Sequence, residues 1–164
     1  MTRIQSGLVI AALAALLLGG CSMSGTKNSE NEAAGRATKE ISAMSGVDSA
    51  TVQIEVTTDG LTKHHAIAVD IDAPELGDSH EDVAQLIDKV MPVAWSVDGT
   101  RPDNGVILRL HTEPQAAIGP IAEEAGWKNV GYPTNEKLLE KVKYQATFAA
   151  ADLDERLGNW PLKQ

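Results

Sequence analysis

A single cysteine, Cys21, occurs in the 164-residue chain, so an intramolecular disulfide, a thiolate metal cluster and a cysteine-pair redox motif are all excluded. Aromatic residues are scarce at 4%: one Phe, two Tyr and three Trp. A core must therefore be built from Val, Ile, Leu, Ala and Met. Positive charge is also in short supply. Fourteen Lys and Arg stand against 23 Asp and Glu, a formal net charge of −9. Such a surface repels phosphate backbones, so nucleic acid is not an expected partner. Nor is a basic patch for anionic lipid head groups expected. The chain has no internal repeat and no low-complexity tract. Its longest apolar run, Leu8 to Leu18, spans eleven residues. As a helix that run reaches about 16 Å, roughly half of a ~30 Å hydrocarbon layer, and is too short for a permanent span.

That short run has informative neighbours. Before it stand Arg3 and the α-amino group; after it come Gly19, Gly20 and Cys21. A charged start, a short apolar stretch and small residues make the pattern of a cleavable export signal. The tetrad Leu18-Gly19-Gly20-Cys21 resembles a lipobox, the maturation site of bacterial lipoproteins. The resemblance implies a diacylglycerol on the Cys21 thiol, cleavage between Gly20 and Cys21, and Cys21 as the new N-terminus. Two acyl chains bury on the order of thirty methylenes at ~0.8 kcal/mol each, an effectively permanent anchor. Ser22 is not the Asp that often signals inner-membrane retention in Gram-negative lipoproteins. Three stretches are expected: a signal peptide over 1–20, the lipidated Cys21 with a flexible tether over 21–32, and one domain over 33–164.

Within the domain, periodicity marks the elements. Ala33, Ala37, Ile41 and Met44 form one helical stripe, ended at Gly46. Val52, Ile54 and Val56 alternate with polar residues, as do Ile67, Val69 and Ile71, and Asp59-Gly60 between them signals a hairpin turn. Asp78 or Ser79 can cap a helix carrying Val83, Leu86, Ile87 and Val90, with Pro92 ending or kinking it. Val106, Leu108 and Leu110 mark a third strand. Pro120 to Ala125 reads as a short helix closed by Gly126, and Trp127 to Tyr132 as an extended segment. Thr134 is expected to cap one last helix through Leu139, Val142, Ala146, Ala149 and Leu153, ended by Gly158.

The fold class expected is α+β: a small antiparallel sheet of about three to four strands with helices on one face. The order helix, strand, strand, helix, strand is reminiscent of ferredoxin-like modules and of BON-type modules, a similarity of topology only. The closing stretch Asp154-Glu155-Arg156-Leu157-Gly158-Asn159-Trp160-Pro161 resembles the tails of uncharacterised actinobacterial secreted proteins, which brings no activity with it.

Candidate chemistry is sparse. His64, His65, His80 and His111 show no metal-ligand spacing. His64 and His111 share the uncovered sheet face if the second and third strands are neighbours, which makes them the metal-site candidates; His65 is a half-buried packing residue. Asp70, Asp72, Asp78 and Glu81 fall at positions one, three, nine and twelve of a calcium loop, but Pro74 and Glu75 stand at five and six, where the sixth needs Gly. No Gly-x-Ser-x-Gly elbow is present, and Ser45 and Ser96 have no obvious base. Trp127 and Trp160, beside Gly and Pro, are the candidate partner-binding aromatics, with core packing as the alternative.

The expectation is a lipid-anchored extracytoplasmic module of the cell membrane, without cofactor or enzymatic activity. It touches the bilayer through acylated Cys21 and binds an envelope protein or glycan. The alternatives are a metal-ion or small-ligand binding lipoprotein and an envelope hydrolase.

Overall fold

The computed structural model describes residues 25–131, 133 and 135–162, with side chains from residue 29 onward. The expected signal peptide over 1–20, the expected lipidation site Cys21 and residues 22–24 lie outside the described residues. The elements run α1 (Gly25–Ser42), β1 (Ser49–Asp59), β2 (Thr62–Asp72), α2 (His80–Trp95), β3 (Val106–His111), α3 (Ile118–Glu124), α4 (Glu136–Val142), β4 (Gln145–Phe148) and α5 (Ala150–Leu157). The class is α+β, and the helix, strand, strand, helix, strand order holds for the first five elements. Helix α1 begins inside the segment expected to be a flexible tether. The Glu30 carboxylate accepts from the Thr100 amide at 2.9 Å and hydroxyl at 2.6 Å, so that segment is held by the body of the domain.

The four strands lie in the order β1-β2-β3-β4. β1 and β2 form the expected antiparallel hairpin, from Ser49 opposite Asp72 to Asp59 opposite Thr62. The sheet is mixed rather than wholly antiparallel, because β3 runs parallel to β2, with Ile67 opposite Val106 and Asp72 opposite His111. A parallel pair needs a long crossover, and α2 supplies it. β4 returns antiparallel on β3.

Alternation along the strands sends Val52, Ile67, Val69, Ile71, Val106, Leu108, Leu110, Ala146 and Phe148 into one core. Helices close that face: Ala33, Ala34, Ala37 and Ile41 from α1, Val83 to Trp95 from α2, Ile118 and Ile121 from α3, and Leu153 from α5. Ser79 caps α2 by accepting from the Asp82 amide, with Glu81 and Asp82 in the first turn where the dipole favours acids. Pro92 does not end this helix, which runs on to Trp95. Proline inside a helix costs about 3 kcal/mol. Met91, Val93, Ala94 and Trp95 are all buried around it, at ~1.5–3 kcal/mol per large side chain, so packing outweighs the break.

The single last helix expected after Thr134 is instead α4, β4 and α5. Phe148 and Ala146 bury as a strand pair against β3, and Gly105 makes the junction tight. Its φ is +78°, and a Cβ there would stand 1.9 Å from the Phe148 carbonyl. The C-terminal tail is pinned to the end of α2 by two indoles. Trp95 Nε1 donates to the Gly158 carbonyl at 3.0 Å, and Trp160 Nε1 to the Val97 carbonyl at 3.1 Å.

Candidate functional site

The helices leave one sheet face open, and its centre is Arg109. Strand alternation turns this residue away from Leu108 and Leu110, whose side chains are buried. Its Nη1 donates to Glu55 Oε1 on β1 at 3.0 Å, and its Nε donates to Gln145 Oε1 on β4 at 3.2 Å. Asp70 Oδ2 on β2 lies 3.8 Å from the same guanidinium. One cation thus ties all four strands. Its arm must cross β2 to reach Glu55, and the residues there on the open face are Ala66 and Ala68. They are 4% and 1% exposed although no helix among the described residues covers this side, because small side chains admit the arm above them. The hydrogen bond to Glu55 is the main cause that raises the Arg109 pKa, and burial opposes it.

Beside this centre, His111 Nε2 lies 3.1 Å from Asp70 Oδ1, and its ring stacks on Tyr144 at 5.2 Å. Ser49 Oγ donates to Asp72 Oδ2 at 2.8 Å. Ser49, Asp72 and His111 line a cleft of about 410 Å³ with Pro74 and Glu113. A serine nucleophile needs the base within hydrogen-bond reach. Here the serine bonds a carboxylate, and the imidazole bonds a different one.

His64 is on the same sheet face as His111 but at its other end. Residue 64 lies opposite Thr57 and residue 111 opposite Asp72, so eight residues of β2 separate them, about 26 Å. The structure does not bring the two metal candidates together. Among the described residues, no three His, Cys, Asp or Glu side chains are placed to hold an ion. His64 instead latches the 98–105 loop to the hairpin: its Nδ1 lies 2.6 Å from Asp103 Oδ2, and Asp103 Oδ1 accepts from the His65 amide at 2.6 Å. These two bonds, the backbone one first, hold the Asp103 carboxyl below its ordinary pKa. His65 is half-buried at this strand end, as its parity suggested. His80 is exposed and 3.1 Å from Glu124.

The candidate aromatics are packing residues. Trp127 is 4% exposed, meets Phe148 edge-on at 5.7 Å and donates Nε1 to Asp88 at 2.9 Å. Trp160 is half-buried with its N–H on Val97. Neither forms an exposed aromatic patch, because irregular segments at helix ends here serve as lids on the core. Trp127 does floor a cavity of about 330 Å³ with Phe148 and Leu153. Arg156 lies over its ring at 3.8 Å, and Lys128 at the rim pairs with Asp152 at 2.9 Å and Glu155 at 3.2 Å. Those bonds raise the Lys128 pKa. Every charge at this rim already has a partner within the chain.

Sequence reasoning missed Arg109, Glu55 and Asp103. Arg109 did carry a signal, as a lone cation inside an apolar alternation. No sequence pattern announces Asp103, whose partners are 38 and 39 residues away. Set against family models, curated proteins and solved structures, the chain matches none of them.

Proposed function

We propose that this chain is a lipid-anchored, extracytoplasmic binding module with no enzymatic activity, held to the cell membrane by a diacylglyceride on Cys21. The observation that carries the reading is the tetrad Leu18-Gly19-Gly20-Cys21, set after a charged start and an eleven-residue apolar run. A chain whose single cysteine stands at that place gains an anchor from it. Support for a binding role comes from the sheet. One face is spent on the core, while the other presents Glu55, Asp70, Arg109, His111 and Gln145 in fixed positions. Such a pre-ordered polar face suits an envelope protein or a hydroxyl-rich glycan, since its donors and acceptors need little reordering on contact.

The test is fatty-acid labelling in a bacterial host. The reading expects label on the wild-type chain and recovery in the membrane fraction. It expects no label on Cys21→Ser, which should either be released as a soluble domain or stay with the membrane only as a precursor that keeps residues 1–20. Equal labelling of the two would overturn it. For the binding role, Arg109→Ala should weaken capture of envelope material while leaving membrane recovery intact.

A further inference from the structure

The hairpin arm of β1 and β2 reaches past the rest of the sheet. β3 accompanies β2 only from Ile67, and the 98–105 loop holds it at His64 and His65. Beyond that the arm runs alone to its tip. Leu61 at the tip is fully exposed, and Val56 on the arm is 53% exposed. These are two of the few large apolar side chains that the described residues leave in water.

The placement of this tip relative to α1 gives it a partner. α1 runs antiparallel to β1, and the Val52 amide donates to Thr38 Oγ1 at 2.9 Å. The start of α1 therefore lies toward the hairpin tip. Glu30, Asn31, Ala34 and Gly35 share a groove with Val56 and Lys63, which sets the two elements level there. From Glu30 back to Gly25 the helix rises about 8 Å. From Val56 on to Asp59 the strand advances about 10 Å. The helix start and the hairpin tip thus reach nearly the same plane. Only three residues separate Cys21 from Gly25, a span of at most about 14 Å.

We propose that the hairpin tip, led by Leu61 with Val56 behind it, is a second contact with the lipid bilayer that fixes the orientation of the domain on the membrane. This rests on the anchor at Cys21. With that anchor in place, the short connection keeps the tip within reach of the interface, and an exposed Leu there gains by leaving water. Charge agrees with this. Thr57 to Lys63 reads TTDGLTK, with one acid and one base, in a chain of net charge −9. The tip itself is locally neutral, so an anionic membrane surface does not repel it. The sheet face around Arg109 then stands clear of the bilayer.

The test uses the full, acylated chain reconstituted in phosphatidylcholine vesicles, with an environment-sensitive fluorophore on Thr62→Cys and, as control, on Leu138→Cys. Leu138 is also exposed, but α4 precedes β4 at the far end, where the Leu110 amide bonds the Tyr144 carbonyl. Vesicle flotation reports the anchor, and fluorescence reports the tip. The expected result is a severalfold rise in emission at Thr62 on vesicles, quenched by nitroxide on the lipid tails. That rise should disappear with Leu61→Asp and be missing at Leu138. A chain that floats while the Thr62 label stays as aqueous as the control overturns the tip contact alone, and leaves the tip to a protein partner. A chain recovered from the host membrane fraction that carries no acyl group on Cys21 overturns the anchor and the tip contact together.

Discussion

The two faces of the same sheet are built on different physics. On the covered face Ile67, Val69 and Ile71 are at most 1% exposed and lie under four helices. Each such side chain contributes about 1.5–3 kcal/mol by leaving water. On the open face the neighbours of these residues along β2 are Ala66, Ala68 and Asp70, roofed by one arginine. Half-exposed ion pairs of the Arg109 kind contribute about 0.2–1 kcal/mol each. Stability therefore resides on the covered side. The open side is ordered at small energetic gain, which leaves it available for recognition.

The strongest challenge to that contrast is Phe148→Ala. It removes the ring against Trp127 and empties the core at β4, and should cost about 3–5 kcal/mol in denaturant unfolding. A loss below about 1 kcal/mol would show that β4 is not part of the core. Gly105→Ala comes next. Its backbone conformation alone costs about 1–3 kcal/mol for an L side chain, and the clash with the Phe148 carbonyl adds to that. Loss of β3–β4 pairing should be visible as faster amide exchange at Thr147 and Phe148.

Arg109→Ala should cost on the order of 1 kcal/mol, since Glu55 and Gln145 regain water when the guanidinium leaves. A cost equal to that of Phe148→Ala would break the comparison. Smaller still is the acid response of the Asp103 latch. The carboxyl titrates lower in the folded chain than in the unfolded one, so folding favours its ionised form. The stabilisation is complete above about pH 4 and is lost as pH falls through the lowered value. Asp103→Asn should therefore reduce stability at neutral pH and narrow its gap to the wild type as the solution is acidified. A gap constant down to pH 2 would remove the latch. Leu138→Ala, at an exposed site on α4, should shift stability by less than about 0.5 kcal/mol.

Much of this architecture was legible because short-range patterns dominate it. Val52 and Ile54, then Ile67, Val69 and Ile71, then Val106, Leu108 and Leu110 alternate at the strand period, and Ser79 with its acidic first turn announces α2. What escaped depends on contacts distant in sequence. Ala146 and Phe148 alternate over only four residues, and Ala146, Ala149 and Leu153 also fit a helix, so β4 was hidden inside a helical stripe. Pro92 is tolerated because Met91, Val93, Ala94 and Trp95 beside it are buried. The parallel pairing of β3 follows from how α2 crosses the sheet, which no local pattern encodes. The candidate site was legible in part. His111 does lie on the open face, but His64 lies at its far end, and the arginine that organises the face was overlooked beside them. Trp127 and Trp160 fell beside Gly and Pro, where exposed and core-capping indoles look alike in sequence.

Placement of the domain at the membrane depends on the anchor, and the intact mass of the chain extracted from membranes decides it. The expected species begins at Cys21 and carries a diacylglyceride, with residues 1–20 gone. A chain with an unmodified thiol at Cys21, or with the leader still attached, would contradict it.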